Sequence, residues 1–282
     1  MNQKEMATFT VHASQVSTII GLASYAKPED ILVMGYRILS QSGIVTPLLP
    51  RTPDELDVQF EDIIKSEEYA NVMDEMIELA SHEIVEVIST VRIIKRHDDV
   101  TIQSTTTTQS SVPPPRLSGP FTTPFLIRTD QLEPKLLGRV IRTMKLESGL
   151  LLGHDERVYS KSFGSKLTIQ GKVDGYRNGV MVQLKSRSKA FRIRSGWGMP
   201  KYDLVHLAIL LEITGRDKII LEEYHKGETR YQVFTSEELA GVKGYTVMDM
   251  IVKLIEVLED LTRHVDLFTP EIIERARQLD DF

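Results

Sequence analysis

Three polar residues lie close together in the stretch Lys166–Lys185, KLTIQGKVDGYRNGVMVQLK. They are a carboxylate, Asp174, followed by the amide of Gln183 and the ammonium of Lys185. Carboxylate and amide oxygens are ligands that a hard cation such as Mg²⁺ prefers. An ammonium beside such a cation can help to position a water next to a phosphate. Brought together by folding, these groups could support metal-assisted attack on a phosphate ester.

The same stretch is predicted to form a β-hairpin. Strands are expected over Lys166–Tyr176 and Val180–Ser186, joined by a tight turn at an Asn-Gly pair. Residues two apart in a strand point to the same face, so Gln183 and Lys185 share one face. Antiparallel pairing would then bring Asp174 towards them.

The composition limits the classes of protein to which the chain can belong. The chain has 282 residues, 41% hydrophobic and 26% charged, as expected of a globular protein with one large domain or one domain plus an insertion. No stretch approaches the roughly 18 uninterrupted apolar residues of a membrane span, and no secretory signal is visible. The absence of cysteine excludes disulfides and zinc–thiolate sites and favours a cytoplasmic protein.

The charge is unevenly distributed along the chain. The net charge of −6 argues against a protein that coats nucleic acid. Twelve acidic residues and one basic residue lie between Pro53 and Ser89, whereas six basic and no acidic residues lie between Leu184 and Lys201. A basic run is often only a solvated surface, but this one directly follows the candidate site. It therefore favours a local contact with nucleic acid.

Helical spacing predicts two elements before the acidic segment. Ser14 can cap a helix over Gln15–Leu22, and Pro28 begins a second helix that runs through Leu39. Residues 50–96 are expected to be mainly helical, although the apolar run at 84–94 could instead form a strand.

The middle and the C-terminal part differ in composition. Residues 101–124, rich in Thr, Ser and Pro, are expected to be a linker, mobile or extended over the surface. Beyond it, further helices and a second hairpin are predicted: helices over Leu132–Leu152, Lys201–Ile213, Val247–Val265 and Pro270–Leu279, and strands over Lys218–Tyr224 and Thr229–Phe234.

This order of helix, strand, strand, helix, strand, strand resembles the core of the PD-(D/E)xK nucleases. Val173-Asp174-Gly175 followed by Gln183-Leu184-Lys185 is similar to the D…(D/E)xK signature of that superfamily. Three further segments resemble motifs of the YqaJ-type viral recombinases, the lambda exonuclease-like family. They are His12-Ala13-Ser14-Gln15-Val16 with Ile20-Gly21-Leu22 and Tyr25, then Gly153-His154-Asp155-Glu156, then Lys201-Tyr202 with His206 and Thr214-Gly215. The resemblance covers about residues 9–40 and 135–235.

The resemblance implies an α/β (α+β) fold. Its PD-(D/E)xK restriction-endonuclease-like core would be a central mixed sheet flanked by helices, with an acidic helical insertion. The expected division is residues 1–48 and 125–235 as the two parts of the nuclease core, 49–100 as the insertion, 101–124 as the linker and 236–282 as a C-terminal helical extension.

The resemblance also implies a nuclease that acts on double-stranded DNA ends with Mg²⁺ or Mn²⁺. The implied metal ligands are Asp174, Glu156, Gln183 and the main-chain carbonyl of Leu184. Glu147, one helical stretch earlier, is a rival to Glu156 as the second acid. Lys185 would orient the attacking water or help to deprotonate it, so the implied catalytic residues are Lys185, Asp174, Glu156 and Gln183.

Further residues are implied to contact DNA: Ser14, Lys172, Arg187, Lys189, Arg192, Arg194, Trp197 and His206. Trp197 could stack on a base or anchor its loop. His206 is either a core histidine or a hydrogen-bonding partner of the active-site lysine or the substrate. A single-strand annealing protein and further copies of the chain are expected partners. The nucleus or viral factory of an infected cell joins the cytoplasm as an expected location.

Gln183 departs from the family pattern, which has Glu or Asp at this position. An amide supplies an oxygen but no charge, so metal affinity should fall. Two interpretations follow. The chain is an active QxK variant, or it is a catalytically weak or inactive nuclease-fold protein that binds DNA or serves as a viral structural or interaction protein.

Overall fold

The computed structural model describes residues 8–48, 55–67, 69–71, 73–74, 87–96, 99–108, 134–147, 157–177, 179–187, 189–193, 198–225, 228–242 and 244–279. Its strands are β1 (Phe9–His12), β2 (Val87–Arg96), β3 (Asp99–Thr108), β4 (Tyr159–Phe163), β5 (Leu167–Gly171), β6 (Gly175–Arg177), β7 (Val180–Ser186), β8 (Lys218–His225), β9 (Glu228–Thr235), β10 (Gly241–Val242) and β11 (Tyr245–Thr246). Its α-helices are α1 (Val16–Ile19), α2 (Pro28–Gln41), α3 (Glu55–Ile64), α4 (Pro134–Glu147), α5 (Lys201–Thr214), α6 (Val247–Arg263) and α7 (Pro270–Gln278). The fold is a mixed α/β arrangement, and across these ranges no helix is long and apolar enough to cross a membrane.

Two sheets frame the candidate site. The four-stranded sheet has the order β6-β7-β8-β9, in which β7 and β8 are parallel and the other neighbours are antiparallel. The connection between β7 and β8 runs through α5, as parallel strands require a crossover. The three-stranded sheet has the order β1-β5-β4, with β1 parallel to β5. The parallel pair places Lys185 opposite Glu223.

The prediction of one strand over Lys166–Tyr176 is wrong, because this stretch forms two strands in different sheets. β5 ends at Gly171 in the three-stranded sheet, and β6 begins at Gly175 in the four-stranded sheet. Between them, the N–H of Asp174 donates to the carbonyl of Val182 at 3.0 Å. The chain therefore changes sheets immediately before the candidate carboxylate.

Helix α5 lies at the centre of the main core. Its residues Val205, Leu207, Ala208, Ile209, Leu210, Leu211 and Ile213 are all buried. An all-round apolar helix is expected to be enclosed on several sides, and α5 packs against α1, β4, β5 and β8. Gly215, with a φ of 64°, ends the helix in the left-handed conformation that glycine adopts without steric cost.

A second cluster joins the acidic segment to α4. The apolar face of α4 packs with side chains from residues 60–73 and from β8. The cluster consists of Leu136, Leu137, Val140, Ile141 and Met144 with Phe60, Ile63, Ile64, Tyr69, Met73 and Tyr224. This part of the acidic segment therefore lies against the helix that precedes the candidate site.

The N-terminal helix differs from the prediction in length and in its start. A 3₁₀ turn over Ala13–Gln15 leads into the short α1, so Ser14 lies within the turn and does not cap a helix. The side chain of Gln15, the third residue of the turn, accepts the N–H of His12, the residue before the turn, at 2.9 Å. Gly21, with a φ of 72°, ends the helix before Leu22.

The stretch 101–124 also differs from the prediction of an unpaired linker. Residues 101–108 belong to β3, which pairs antiparallel with β2 from Val87–Thr108 to Arg96–Asp99. The β-branched side chains of its threonines favour a strand once a neighbouring strand supplies hydrogen bonds. Residues 87–94 of the apolar run belong to strand β2, which is the strand alternative predicted for them. Residues 84–86 and 109–124 lie outside the described ranges.

Gly171 permits the close packing of α5 on β5. A Cβ at this position would lie 2.8 Å from Leu210 Cδ2, 2.9 Å from Ile213 Cδ1 and 3.2 Å from Ala13 Cβ. The Gly171→Ala variant is therefore expected to lower the free energy of unfolding by about 1–3 kcal/mol, because these buried side chains must shift. Urea denaturation followed by circular dichroism measures the change.

The matched control is Gly138→Ala in α4. Among the residues that the structure describes, a Cβ there would meet only the Ser186 side chain, at ordinary contact distances of 3.6 and 3.9 Å. Alanine also has the higher helix propensity, so this variant should be as stable as the parent or more stable. Equal midpoints for Gly171→Ala and the parent protein would contradict the packing described for α5.

Candidate functional site

Asp174 is the centre of a compact hydrogen-bonded group. Its Oδ2 accepts the main-chain N–H of Leu184 at 2.8 Å and the side-chain amide of Gln183. Its Oδ1 accepts Nη1 of Arg142, from α4, at 3.0 Å. The Asp174 side chain is only 10% exposed. The carboxylate and the amide that the sequence singled out are thus in direct contact.

Gln183 has one oxygen without a hydrogen-bonding partner. Gln183 is only 7% exposed. Its Oε1 is buried, and within the described ranges it accepts no hydrogen bond. A buried carbonyl oxygen left unpaired is costly. Together with the carboxylate beside it, this oxygen fits the preference of a divalent cation for oxygen ligands.

The charge of Lys185 acts on His206 of helix α5, whereas its neighbour Leu184 packs with Val182 and Ile220. The half-buried His206 of α5 interacts electrostatically with the Lys185 ammonium. Burial of the imidazole and the Lys185 ammonium together hold the pKa of His206 well below its usual value. His206 is therefore neutral at physiological pH and available as a hydrogen-bonding group beside the lysine.

Arg187 is held by two buried carboxylates. Its guanidinium lies 2.6 Å from Glu223 Oε1 and 2.6 Å from Asp203 Oδ2, and its side chain is 10% exposed. These carboxylates outweigh the burial of the guanidinium, so the pKa of Arg187 is raised. The ion pairs connect the residue that follows β7 with β8 and with the first turn of α5, at the carboxyl end of the parallel strands.

Glu223 also holds the middle of the basic run. Its Oε2 accepts the main-chain N–H groups of Arg192 at 2.7 Å and Ile193 at 2.8 Å. Lys189 is exposed, and Arg192 is half-buried. The chain that carries these cations is therefore positioned by a carboxylate of the neighbouring strand.

A second acid of β8, Glu222, is buried on the opposite face of the sheet. It pairs with Lys145 of α4 and, at 2.6 Å, with Arg177 of β6. Burial disfavours the charged carboxylate, but the two cations outweigh burial and lower the pKa of Glu222. Sequence reasoning missed Glu222, Glu223 and Asp203, because charged residues inside a strand or helix look like surface residues when their partners are distant in sequence.

The remaining predicted site residues are placed as follows. Ser14 is half-buried in the turn whose Ala13 lies against Gly171, and Lys172 is exposed next to it. Glu156, Arg194 and Trp197 lie outside the described residues.

Glu147, the rival to Glu156, accepts the Tyr69 hydroxyl at 2.6 Å, and burial together with this carboxylate raises the pKa of Tyr69. In the part of the chain that the structure describes, no group of three or more acidic or histidine side chains could hold a metal ion.

Comparisons with known proteins find only weak structural similarities. No family model matches the chain, and no curated protein matches its sequence. One solved structure, SSO0001, is 19% identical over 50% of this chain with a TM-score of 0.32, and the match spans less than two thirds of that protein, 63%.

Two further solved structures are fungal Rai1 proteins. Rai1 of Candida albicans, solved in complex with pU5-Mn²⁺, is 13% identical, covers 99% of this chain and 92% of its own length, and has a TM-score of 0.29. Rai1 of Scheffersomyces stipitis is 10% identical, covers 93% and 74%, and has a TM-score of 0.30. At these TM-scores the similarities support no functional argument, which must come from the site itself.

Proposed function

We propose that this chain is a metal-dependent DNA nuclease of the viral recombinase type, acting on the ends of double-stranded DNA. The observation that carries the proposal is the contact between Asp174 and Gln183, with Lys185 two residues further along β7. This grouping of a carboxylate, an amide and a lysine supports the proposal of a D…(D/E)xK-like site with an amide in place of the second carboxylate.

The donor set fits a divalent cation. Asp174 supplies a carboxylate, and Gln183 supplies the buried oxygen that has no partner within the described ranges. Glu156 and the main-chain carbonyl of Leu184 complete the proposed ligands. When bound, Mg²⁺ or Mn²⁺ would neutralise charge on the phosphate and lower the pKa of a water.

Lys185 is the residue proposed to act on the water and the phosphate. Its neighbour His206 is neutral, so it can accept or donate a hydrogen bond without adding a second positive charge. Lys185 can therefore orient the attacking water or stabilise negative charge that develops on the phosphate.

One observation favours a second candidate function, a DNA-binding protein with little or no catalysis. Both oxygens of Asp174 already accept hydrogen bonds, from Arg142, Gln183 and the Leu184 N–H. These donors compensate the carboxylate without a metal. Such a protein would bind DNA independently of divalent cations, with an affinity that falls steeply with salt. The proposed partners of the nuclease are a single-strand annealing protein and further copies of the chain.

The test is digestion of linear duplex DNA by the purified protein with Mg²⁺, Mn²⁺ or EDTA. We expect digestion only with a divalent cation. The Gln183→Glu variant should reach half-maximal rate at a metal concentration about tenfold lower, because one added charge at the site need contribute only about 1.4 kcal/mol to binding for that change. A fluorescent end label on either strand reports the rate and the polarity.

Gln232→Glu is the matched control for this gain. It introduces the same charge on β9, the outer strand of the same sheet, and should leave the metal dependence unchanged. Absence of digestion by both the parent protein and Gln183→Glu at every metal concentration would refute the proposal. DNA binding that EDTA does not alter would then support the second candidate.

A further inference from the structure

The donors that meet Asp174 differ in how readily they can leave it. Leu184 donates from the main chain of β7, and Gln183 is a buried residue, 7% exposed. The Arg142 side chain is 48% exposed. An ion pair that involves an exposed side chain contributes little to stability, because water solvates the released cation. Arg142 is therefore the donor most easily displaced from the carboxylate.

The guanidinium of Arg142 has the chemistry of a phosphate ligand. It is planar, stays charged at all working pH values and presents parallel N–H donors that match two phosphate oxygens. Its Nη1 lies 3.0 Å from Oδ1 of Asp174, and the carboxylate of Asp174 is the group that the proposed cation would bind. A divalent cation at Asp174 would repel the guanidinium, whereas a phosphate beside that cation would attract it.

The other paired cations of α4 are engaged differently. Arg139 pairs with Asp57 at 2.7 Å and lies over the Phe60 ring, and Lys145 pairs with the buried Glu222. Neither of these acids belongs to the proposed metal site. Arg142 thus differs from its neighbours on the helix in that its partner is itself a proposed ligand.

We infer that Arg142 is a phosphate-binding residue of this site, held on Asp174 until a divalent cation replaces it. The inference rests on the proposed function, since it needs both a cation and a nucleic-acid phosphate at Asp174. It adds to the site a residue 32 positions before Asp174, outside both the central hairpin and the basic run.

The test compares the parent protein with Arg142→Gln in two binding measurements that do not require cleavage. Titration with Mn²⁺, followed by electron paramagnetic resonance of the free ion, should show binding tightened about two- to fivefold, the range of an exposed ion pair that no longer competes. Binding of linear duplex DNA in Ca²⁺ should weaken. The slope of log affinity against log salt should become shallower by about 0.9, the contribution of one phosphate contact.

Arg139→Gln serves as the control on the same helix, because Arg139 pairs away from Asp174. It should change neither the Mn²⁺ affinity nor the salt slope. An unchanged salt slope in Arg142→Gln would overturn the inference even if metal binding tightened, because Arg142 would then be only a competitor for Asp174. If the parent protein binds Mn²⁺ and DNA but neither it nor Gln183→Glu cuts, the nuclease is refuted, and the two binding measurements still decide the role of Arg142. A parent protein that binds no divalent cation would overturn both.

Discussion

Lys185→Ala is expected to lower the rate of metal-dependent DNA digestion by about 10²–10⁴-fold, the range for loss of a positioned proton-transfer or charge-stabilising group. The lysine follows Gln183 by two residues on β7, so both lie on the same face of the strand. Single-turnover digestion at saturating metal measures the effect. Lys218→Ala, which removes an exposed lysine at the other end of the parallel pair, is the control and should retain full activity.

A second measurement separates a local change at Lys185 from misfolding. The Lys185 ammonium helps to lower the pKa of His206, so its removal should raise that pKa towards the usual value while burial still opposes protonation. Titration of the His206 ring by nuclear magnetic resonance follows this shift. Lys185→Arg should keep the pKa of His206 low, because the charge remains. The Lys185→Arg variant should retain activity only if the lysine acts through its charge, because arginine does not give up a proton.

Unchanged digestion by Lys185→Ala would remove this residue from the site whatever the histidine shows. A lost activity with the pKa of His206 returned fully to its usual value would mean that the variant has rearranged α5 and exposed the imidazole, rather than lost a functional group. Circular dichroism and the urea midpoint of the variant distinguish these outcomes before any catalytic role is assigned.

The contact between Asp174 and Gln183 could be predicted from the sequence because it is local. A tight turn separates the two residues by nine positions, and their pairing follows from the register of β6 on β7. The burial of α5 was equally predictable, since a helix apolar on all sides has no face left for water.

The contacts that complete the site could not be predicted, because they join residues far apart in sequence. Arg142 reaches Asp174 from α4, and Glu223 reaches Arg187 from β8, 36 residues away. The sequence around a charged residue in a strand does not indicate which distant residue will form an ion pair with it. The break before Asp174 was missed for a similar reason, since alternation of polar and apolar residues continues across it while the sheet changes.

Glu223→Ala is expected to lower the free energy of unfolding by about 3–5 kcal/mol, the cost of leaving a buried ion pair without one partner. Glu223 is fully buried and accepts from the Arg187 side chain and from the main-chain N–H groups of Arg192 and Ile193. Its loss leaves Arg187 with Asp203 alone and two N–H groups without their acceptor. Urea denaturation measures the change in stability.

The control is Glu274→Gln on α7, which breaks an exposed i,i+3 pair with Arg277 and should cost less than about 0.5 kcal/mol. Hydrogen exchange then tells whether Glu223 acts locally. If it positions the basic run, the amides of Arg192 and Ile193 should exchange faster in Glu223→Ala by more than the global loss of stability accounts for, whereas the amides of α7 should follow the global loss. A loss below about 1 kcal/mol with unchanged exchange at residues 192 and 193 would contradict the network, because buried charges that can be left unpaired at so little cost must be solvated.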